Sequence, residues 1–317
     1  MKYAWIQLHR GSFPVNACCR VLQVSTSGFY RQKKVGEGAR LLQQRRIDAA
    51  VAKAHADSHR IYGSRKVSAE LNLGGGNLKP CLNTVAASMK RQGLRSKVKH
   101  GFTPGTTKAD PLHEKAANTL GRVFTSEKPN QKWVTDITYL QVGDGWAYLA
   151  TVTDLFARRI VGWAIEDHMR TQLVVDALRD AVEQRRPAPS LLHRGGARLG
   201  EGLLLHSDRG SQFTSKDFSG VLGTLNVRQS ISGKGECWDN AVAETVFGKL
   251  KGEWTTHERY ADLAGARRSI RRYIHWFNTK RRHQTLGYET PEGKETAFYK
   301  ASKPPASTPA ATVAAGG

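Results

Sequence analysis

Residues 132–165 limit the fold of this chain more than any other stretch, because apolar and polar side chains alternate there in three successive runs. Positions 132–142 read as a strand, Gly143-Asp144-Gly145 as a hairpin turn, 146–156 as a second strand and 159–165 as a third. A helical pattern follows over 171–186, with Leu173, Val174, Ala177, Leu178 and Ala181 on one face. The remaining periodicities predict a buried strand at 203–205, a helix over 215–225, a short strand at 227–231 and a long helix over 240–254.

This is the element order of an RNase H-like α/β domain, expected over 131–255, in which the fourth strand pairs beside the first. Asp136 then stands in mid-strand on the face shared by Val134, Thr138 and Leu140, where an unpaired charge is costly. Asp208 follows the apolar run Leu203-Leu204-Leu205. Glu244 lies one turn into the last helix, behind a cap at Asp239 or Asn240, and 35 residues separate it from Asp208. Taken singly, such acids are more often turn or helix-face residues. Jointly, three carboxylates can hold two Mg²⁺ or Mn²⁺ ions, one activating an attacking oxygen and the other stabilising the leaving oxygen of a phosphodiester. Asn240 and Lys251 project on nearly the same side of the helix as Glu244, and Lys251 is expected to grip phosphate.

Charge indicates the partner. Lys and Arg number 49 against 27 Asp and Glu, a net charge of +22 that favours a polyanion such as DNA. Within 45–100, twelve Lys and Arg face only Asp48, Asp57 and Glu70, and three apolar stripes predict a helix-turn-helix-like DNA-binding domain with Asn83-Thr84 capping the recognition helix. Residues 1–44 form an N-terminal helical segment with Ser25 as a cap, 101–130 a linker, 256–300 a basic helical extension and 301–317 a disordered tail. In the extension, Arg267, Arg268, Arg271, Arg272, Lys280, Arg281 and Arg282 interleave with Tyr273, Trp276 and Phe277. That pattern fits a nucleic-acid face, or equally an amphipathic helix with a solvated basic side.

No apolar run is long enough to span a membrane and no signal region opens the chain, so a cytoplasmic location is expected. Four cysteines without a C-x-x-C spacing argue against a disulfide framework or structural zinc, and His55 with His59 reads as a polar helix face. The residues alone leave open a nuclease that only nicks nucleic acid, or a DNA-binding protein with an inert core.

The motifs narrow this. They are Cys19-Arg20-Val21-Leu22 with Ser27-Gly28-Phe29-Tyr30, Tyr62-Gly63 with Arg65-Lys66-Val67, and Asn130-Gln131-Lys132-Trp133-Val134-Thr135-Asp136. His206-Ser207-Asp208-Arg209-Gly210-Ser211-Gln212-Phe213, Cys237-Trp238-Asp239-Asn240-Ala241 with Glu244, and Phe277-Asn278 with Arg282, His283, Leu286-Gly287-Tyr288 and Pro291 complete the set. From residue 2 to 299 the chain resembles DDE transposases of the insertion-sequence 3 family, specifically the second reading-frame product. The resemblance implies a retroviral-integrase-like core with Asp136, Asp208 and Glu244 as catalytic and metal-binding residues. It also implies cleavage at terminal inverted repeats to free a 3′-hydroxyl, and strand transfer into target DNA. DNA contacts are expected from Lys251, Asn240, Gln212, Arg282 and Arg65. The implied partners are a second copy of the chain in the synaptic complex and an upstream-frame product joined by frameshifting. The chain departs from the family pattern in a Gly-rich insert over 193–202, expected to loop out before the strand at 203–205, and more mildly at 74–77.

Overall fold

A computed structural model describes residues 1–34, 38–98, 117–185, 202–233 and 236–302. Positions 193–201 of the Gly-rich insert and 303–317 of the tail lie outside the described residues. The chain divides into two units, Met1–Ser96 and Lys97–Gly317.

In the first unit, α1 (Lys2–His9), α2 (Val15–Val21) and α3 (Thr26–Lys34) close around Ile6, Cys18, Cys19 and Phe29. Ser25 Oγ accepts from the Gly28 N–H at 3.0 Å, so it caps α3. Next come α4 (Ala39–Asp57), α5 (Ser64–Leu73) and α6 (Leu82–Arg91), which bury Val51, Val67, Val85 and Met89. Asp48 of α4 accepts from Ser88 Oγ at 2.5 Å and Arg91 Nη2 at 2.7 Å, tying α4 to α6. The cap expected at Asn83-Thr84 is displaced. Helix α6 already includes Leu82, its N-cap position is Cys81, and Cys81 Sγ lies 3.2 Å from Thr84 Oγ1. Residues 74–77 form a loop, with Gly75 at φ +77°. The polar helix face expected at His55 and His59 does not form: His55 is buried, its Nδ1 donating to the Tyr62 carbonyl at 3.0 Å, and His59 lies beyond the end of α4 at φ +56°.

The second unit is built on a five-stranded sheet of order β3-β2-β1-β4-β5. Strands β1 (Lys132–Val142), β2 (Gly145–Asp154) and β3 (Arg159–Glu166) form the antiparallel meander, whose first turn uses Gly143 at φ +53°. After α7 (Thr171–Arg185), strand β4 (Leu204–Ser207) pairs parallel to β1, and β5 (Arg228–Ile231) parallel to β4. The helix expected at 215–225 arrives as two, α8 (Ser211–Thr214) and α9 (Lys216–Thr224), with Ser215 capping the second by accepting from the Phe218 N–H. A 3₁₀ turn at Cys237–Asn240 leads into α10 (Ala241–Glu253), followed by α11 (Leu263–Thr279) and α12 (Pro291–Ser302).

The period-two pattern sorts residues onto two faces. Trp133, Val152, Val161 and Leu205 pack under α7 and α9, whereas Val134, Leu155 and Leu204 pack against Ala243 of α10. Helix α7 approaches β3 so closely that a Cβ on Gly162 would fall on the Ala177 carbonyl and on Ala181. Residues 117–130, expected as linker, belong to this core. Leu120 is buried with Val134 and Ala243, and its N–H donates to Ser230 Oγ at 3.0 Å.

The basic extension takes the amphipathic form. Tyr273, Trp276 and Phe277 are buried and Arg267, Arg268, Arg271 and Arg272 exposed, so the aromatics build core and do not face nucleic acid. Arg281 is also buried, paired with Glu253. Asn278 accepts from the Ile160 N–H at 3.0 Å and donates to the Ile160 carbonyl at 2.8 Å, standing in for a neighbouring strand at the outer edge of β3.

Candidate active site

The register brings the acids together. Val134 of β1 stands opposite His206 of β4 in a parallel pair, so two residues further on Asp136, still within β1, lies beside Asp208, just past the end of β4. Asp136 Oδ1 accepts from the Ile137 N–H at 2.8 Å, and Asp208 Oδ1 accepts from the Gly210 N–H at 2.9 Å. The latter bond turns the chain sharply into α8, with a Cβ on Gly210 only 3.1 Å from Asp208 Oδ1. Glu244 arrives from α10, which packs on the same face of β1 through Ala243.

All three carboxylates are half-buried. Burial, then the charges of Asp208 and Glu244, push the Asp136 carboxyl well above its ordinary range, and Lys251 partly opposes them. Burial and Asp208 likewise raise Glu244. Such mutual repulsion is what a cluster of hard oxygen donors experiences without a cation among them. Among the described residues, no three of His, Cys, Asp and Glu are gathered closely enough to hold a metal ion as they stand. The donor chemistry, all carboxylate oxygen, and the like-charge strain nonetheless fit a hard divalent cation.

The shell behind the acids is polar and well paired. His206 is buried between Ser230 Oγ at 2.8 Å and Ser232 Oγ at 3.2 Å, and burial lowers its pKa to about 4, leaving it neutral. Asp239 accepts from the Gly233 N–H at 2.7 Å, Arg122 Nε at 2.6 Å and Asn118 Nδ2 at 2.8 Å. These bonds clamp the turn that precedes α10 and hence Glu244. No sequence signal marked Asn118 or Arg122, which lie more than a hundred residues before Asp239.

The other expected contacts fall in different places. Lys251 sits beside the cluster, its Nζ 4.6 Å from the centre of the Tyr139 ring. Asn240, expected at the DNA, lies behind the acids. It is buried, with Nδ2 donating to the Thr135 carbonyl at 3.2 Å, and so fastens α10 to β1 next to Asp136. Gln212 is half-buried and donates to the Met169 carbonyl at 2.9 Å. Arg282 is also half-buried, with Nη1 3.4 Å from the Tyr288 carbonyl. Arg65 is exposed on α5 in the first unit. A cleft of about 640 Å³ lined by Arg159, Glu166, Asp180, Arg267 and Arg271 includes none of the three acids.

An integrase core domain family matches residues 126–237, a second integrase core domain family 225–291, and an HTH-like domain family 42–102. The chain is 37% identical over 295 residues to a transposase of insertion sequence IS3A from Escherichia coli K12, covering 92% of this chain and 97% of the relative. It is 32% identical over 286 residues to a putative transposase of insertion sequence element IS986/IS6110 from Mycobacterium tuberculosis, covering 90% and 99%. Among solved structures, the HTLV-2 integrase catalytic core domain in complex with magnesium aligns with a TM-score of 0.40 and 15% identity, over 53% of this chain and 98% of that one.

Proposed function

Because the chain belongs to the IS3 family of insertion-sequence transposases and is itself a transposase with an integrase core, we propose that Asp136, Asp208 and Glu244 are its catalytic and metal-binding residues. The observation that carries this reading is the β1–β4 register, which sets Asp136 beside Asp208 on the side where α10 delivers Glu244. When bound, Mg²⁺ or Mn²⁺ supplies Lewis acidity to the phosphodiester and lowers the pKa of an attacking water or 3′-hydroxyl. The chain's own residues do the positioning. Asp136 is fixed in a strand, Asp208 in a hydrogen-bonded turn, and Glu244 on a helix clamped through Asp239 and Asn240. Lys251 offers its ammonium to a phosphate beside Asp136.

Terminal inverted repeats and target DNA are the substrates in this reading, with the exposed Arg65 on the first unit contacting the DNA backbone. Two element ends must meet for transposition, so the working form is a homo-oligomer, supplied with an upstream-frame product by frameshifting and acting on DNA in the cytoplasm. No observation favours a hydrolase without strand transfer or an inert binding protein.

The test uses oligonucleotides bearing the element's own ends. Asp136→Asn, Asp208→Asn and Glu244→Gln should each reduce Mg²⁺-dependent 3′-end cleavage and strand joining by on the order of a thousandfold or more. Cleavage that survives these changes removes the site assignment, and hydrolysis without joined products removes strand transfer.

A further inference from the structure

Tyr139 and Trp146 are large aromatics that the core does not use. They lie on the same face of the β1–β2 hairpin, since Gln141 pairs with Trp146 and Tyr139 with Tyr148. Both are more than half exposed, at 55% and 53%, and their rings meet nearly perpendicularly, 5.1 Å apart at 88°. A cross-strand pair of this kind steadies a hairpin, but that role is served best by rings covered from water. Tyr139 is three residues beyond Asp136 on the same strand and so on its other face, and β4 pairs with β1 only over Lys132–Val134, which leaves that edge of β1 open for a side chain to pass between the faces. Lys251 therefore reaches past the uncovered edge, with its Nζ 4.6 Å from the Tyr139 ring centre while its charge also acts on Asp136.

We propose that the Tyr139–Trp146 corner is a stacking site for an unpaired DNA base next to the reacting phosphate, with Lys251 holding the adjoining backbone. The inference rests on the reading that the carboxylates work on DNA ends. Where a duplex end opens beside the reacting phosphodiester, the unpaired nucleotide exposes a π-face. Two perpendicular rings suit it, one accepting the base face to face and the other meeting its edge. The ammonium between this corner and Asp136 gives the charge that a backbone requires. Stacking of this type tolerates any sequence, so the site distinguishes unpaired from paired DNA and not one base from another.

The test is binding by the full chain in EDTA, followed by fluorescence anisotropy, with a blunt duplex and the same duplex carrying a short unpaired thymidine tail. The tailed duplex should bind on the order of tenfold more tightly. Tyr139→Ala and Trp146→Ala should each remove most of that preference while leaving blunt-duplex affinity in place, and Tyr139→Phe and Trp146→Phe should retain it. Should either alanine variant fail to fold, the difference in emission between the parent chain and Trp146→Phe decides. The tailed duplex must quench that difference and the blunt duplex must not. Equal affinity for both duplexes, a preference that survives both alanine changes, or an equal loss for both duplexes overturns the proposal. Because no metal is present, failure of the carboxylate assignment would leave this result unchanged, and failure of the stacking site would leave cleavage by the three acids unchanged.

Discussion

At the scale of single residues, Asp136 is held where its own neighbours oppose its charge. Burial first, and then Asp208 and Glu244, raise its pKa, and Lys251 works the other way. Asp136→Asn should therefore raise the melting temperature of the metal-free protein by a few degrees while abolishing activity, whereas Mg²⁺ should stabilise the parent chain and not the variant. Thermal melts with EDTA and with Mg²⁺ check both signs, and a lower metal-free melt for the variant would remove the repulsion argument.

Asp48 is the opposite case. The Ser88 hydroxyl, and after it the Arg91 guanidinium, hold its carboxyl below the ordinary aspartate range. A depressed carboxylate contributes stability that is present above its unfolded pKa and lost as pH falls through the folded one. The α4–α6 contact should accordingly weaken below about pH 4, and Asp48→Ala should cost about 1–2 kcal/mol at neutral pH while flattening that acid limb. Urea denaturation against pH would show a limb of unchanged slope if the bond contributes nothing. The three acids were legible in the sequence because period two and one helical turn fix their faces. The bond from Asn240 to the Thr135 carbonyl is not legible, because a polar residue at a helix start reads alike whether it meets DNA or a strand carbonyl.

At the scale of elements, alternation and helical spacing predicted the meander, α7 and α10 to within one or two residues, because each buries one face against a single sheet. What sequence could not assign was membership across long separations. Residues 117–130 have a linker's composition, yet Leu120 fills the space between Val134 and Ala243. Arg281 likewise looked like one more cation of a basic helix. Its guanidinium is buried against Glu253, and the Tyr273 hydroxyl donates to the same carboxylate at 3.3 Å. This pair joins the end of α10 to the segment after α11, so it steadies the helix that carries Glu244. Arg281→Met should destabilise the second unit by about 3–5 kcal/mol, because the Glu253 charge would stay buried with no cation to balance it. Replacing both residues with apolar ones should recover most of that loss, and a double variant as unstable as the single one would show that packing and not charge is responsible.

At the scale of the whole molecule, the charge is unevenly divided. Met1–Ser96 holds 17 Lys and Arg against 4 Asp and Glu, a net charge of +13 in less than a third of the chain. The remaining 221 residues hold 32 against 23, a net charge of +9. Each unit has its own apolar core, Ile6 with Phe29 and Val51 with Val85 in the first, and the two faces of the sheet in the second. A fragment starting at Lys97 should thus melt cooperatively without the first unit. Its DNA affinity should also respond less to salt. For each phosphate that is no longer neutralised, the slope of log K against log salt becomes shallower by about 0.9, and the unit richest in unopposed cations neutralises more of them. Removing residues 1–96 should therefore cut the slope by more than half, while Arg65→Gln in the full chain should lower it by about one. Titrations across a range of potassium chloride decide this. A slope unchanged in the fragment would place the DNA-binding charge on the second unit, around Lys251 and the exposed arginines of α11.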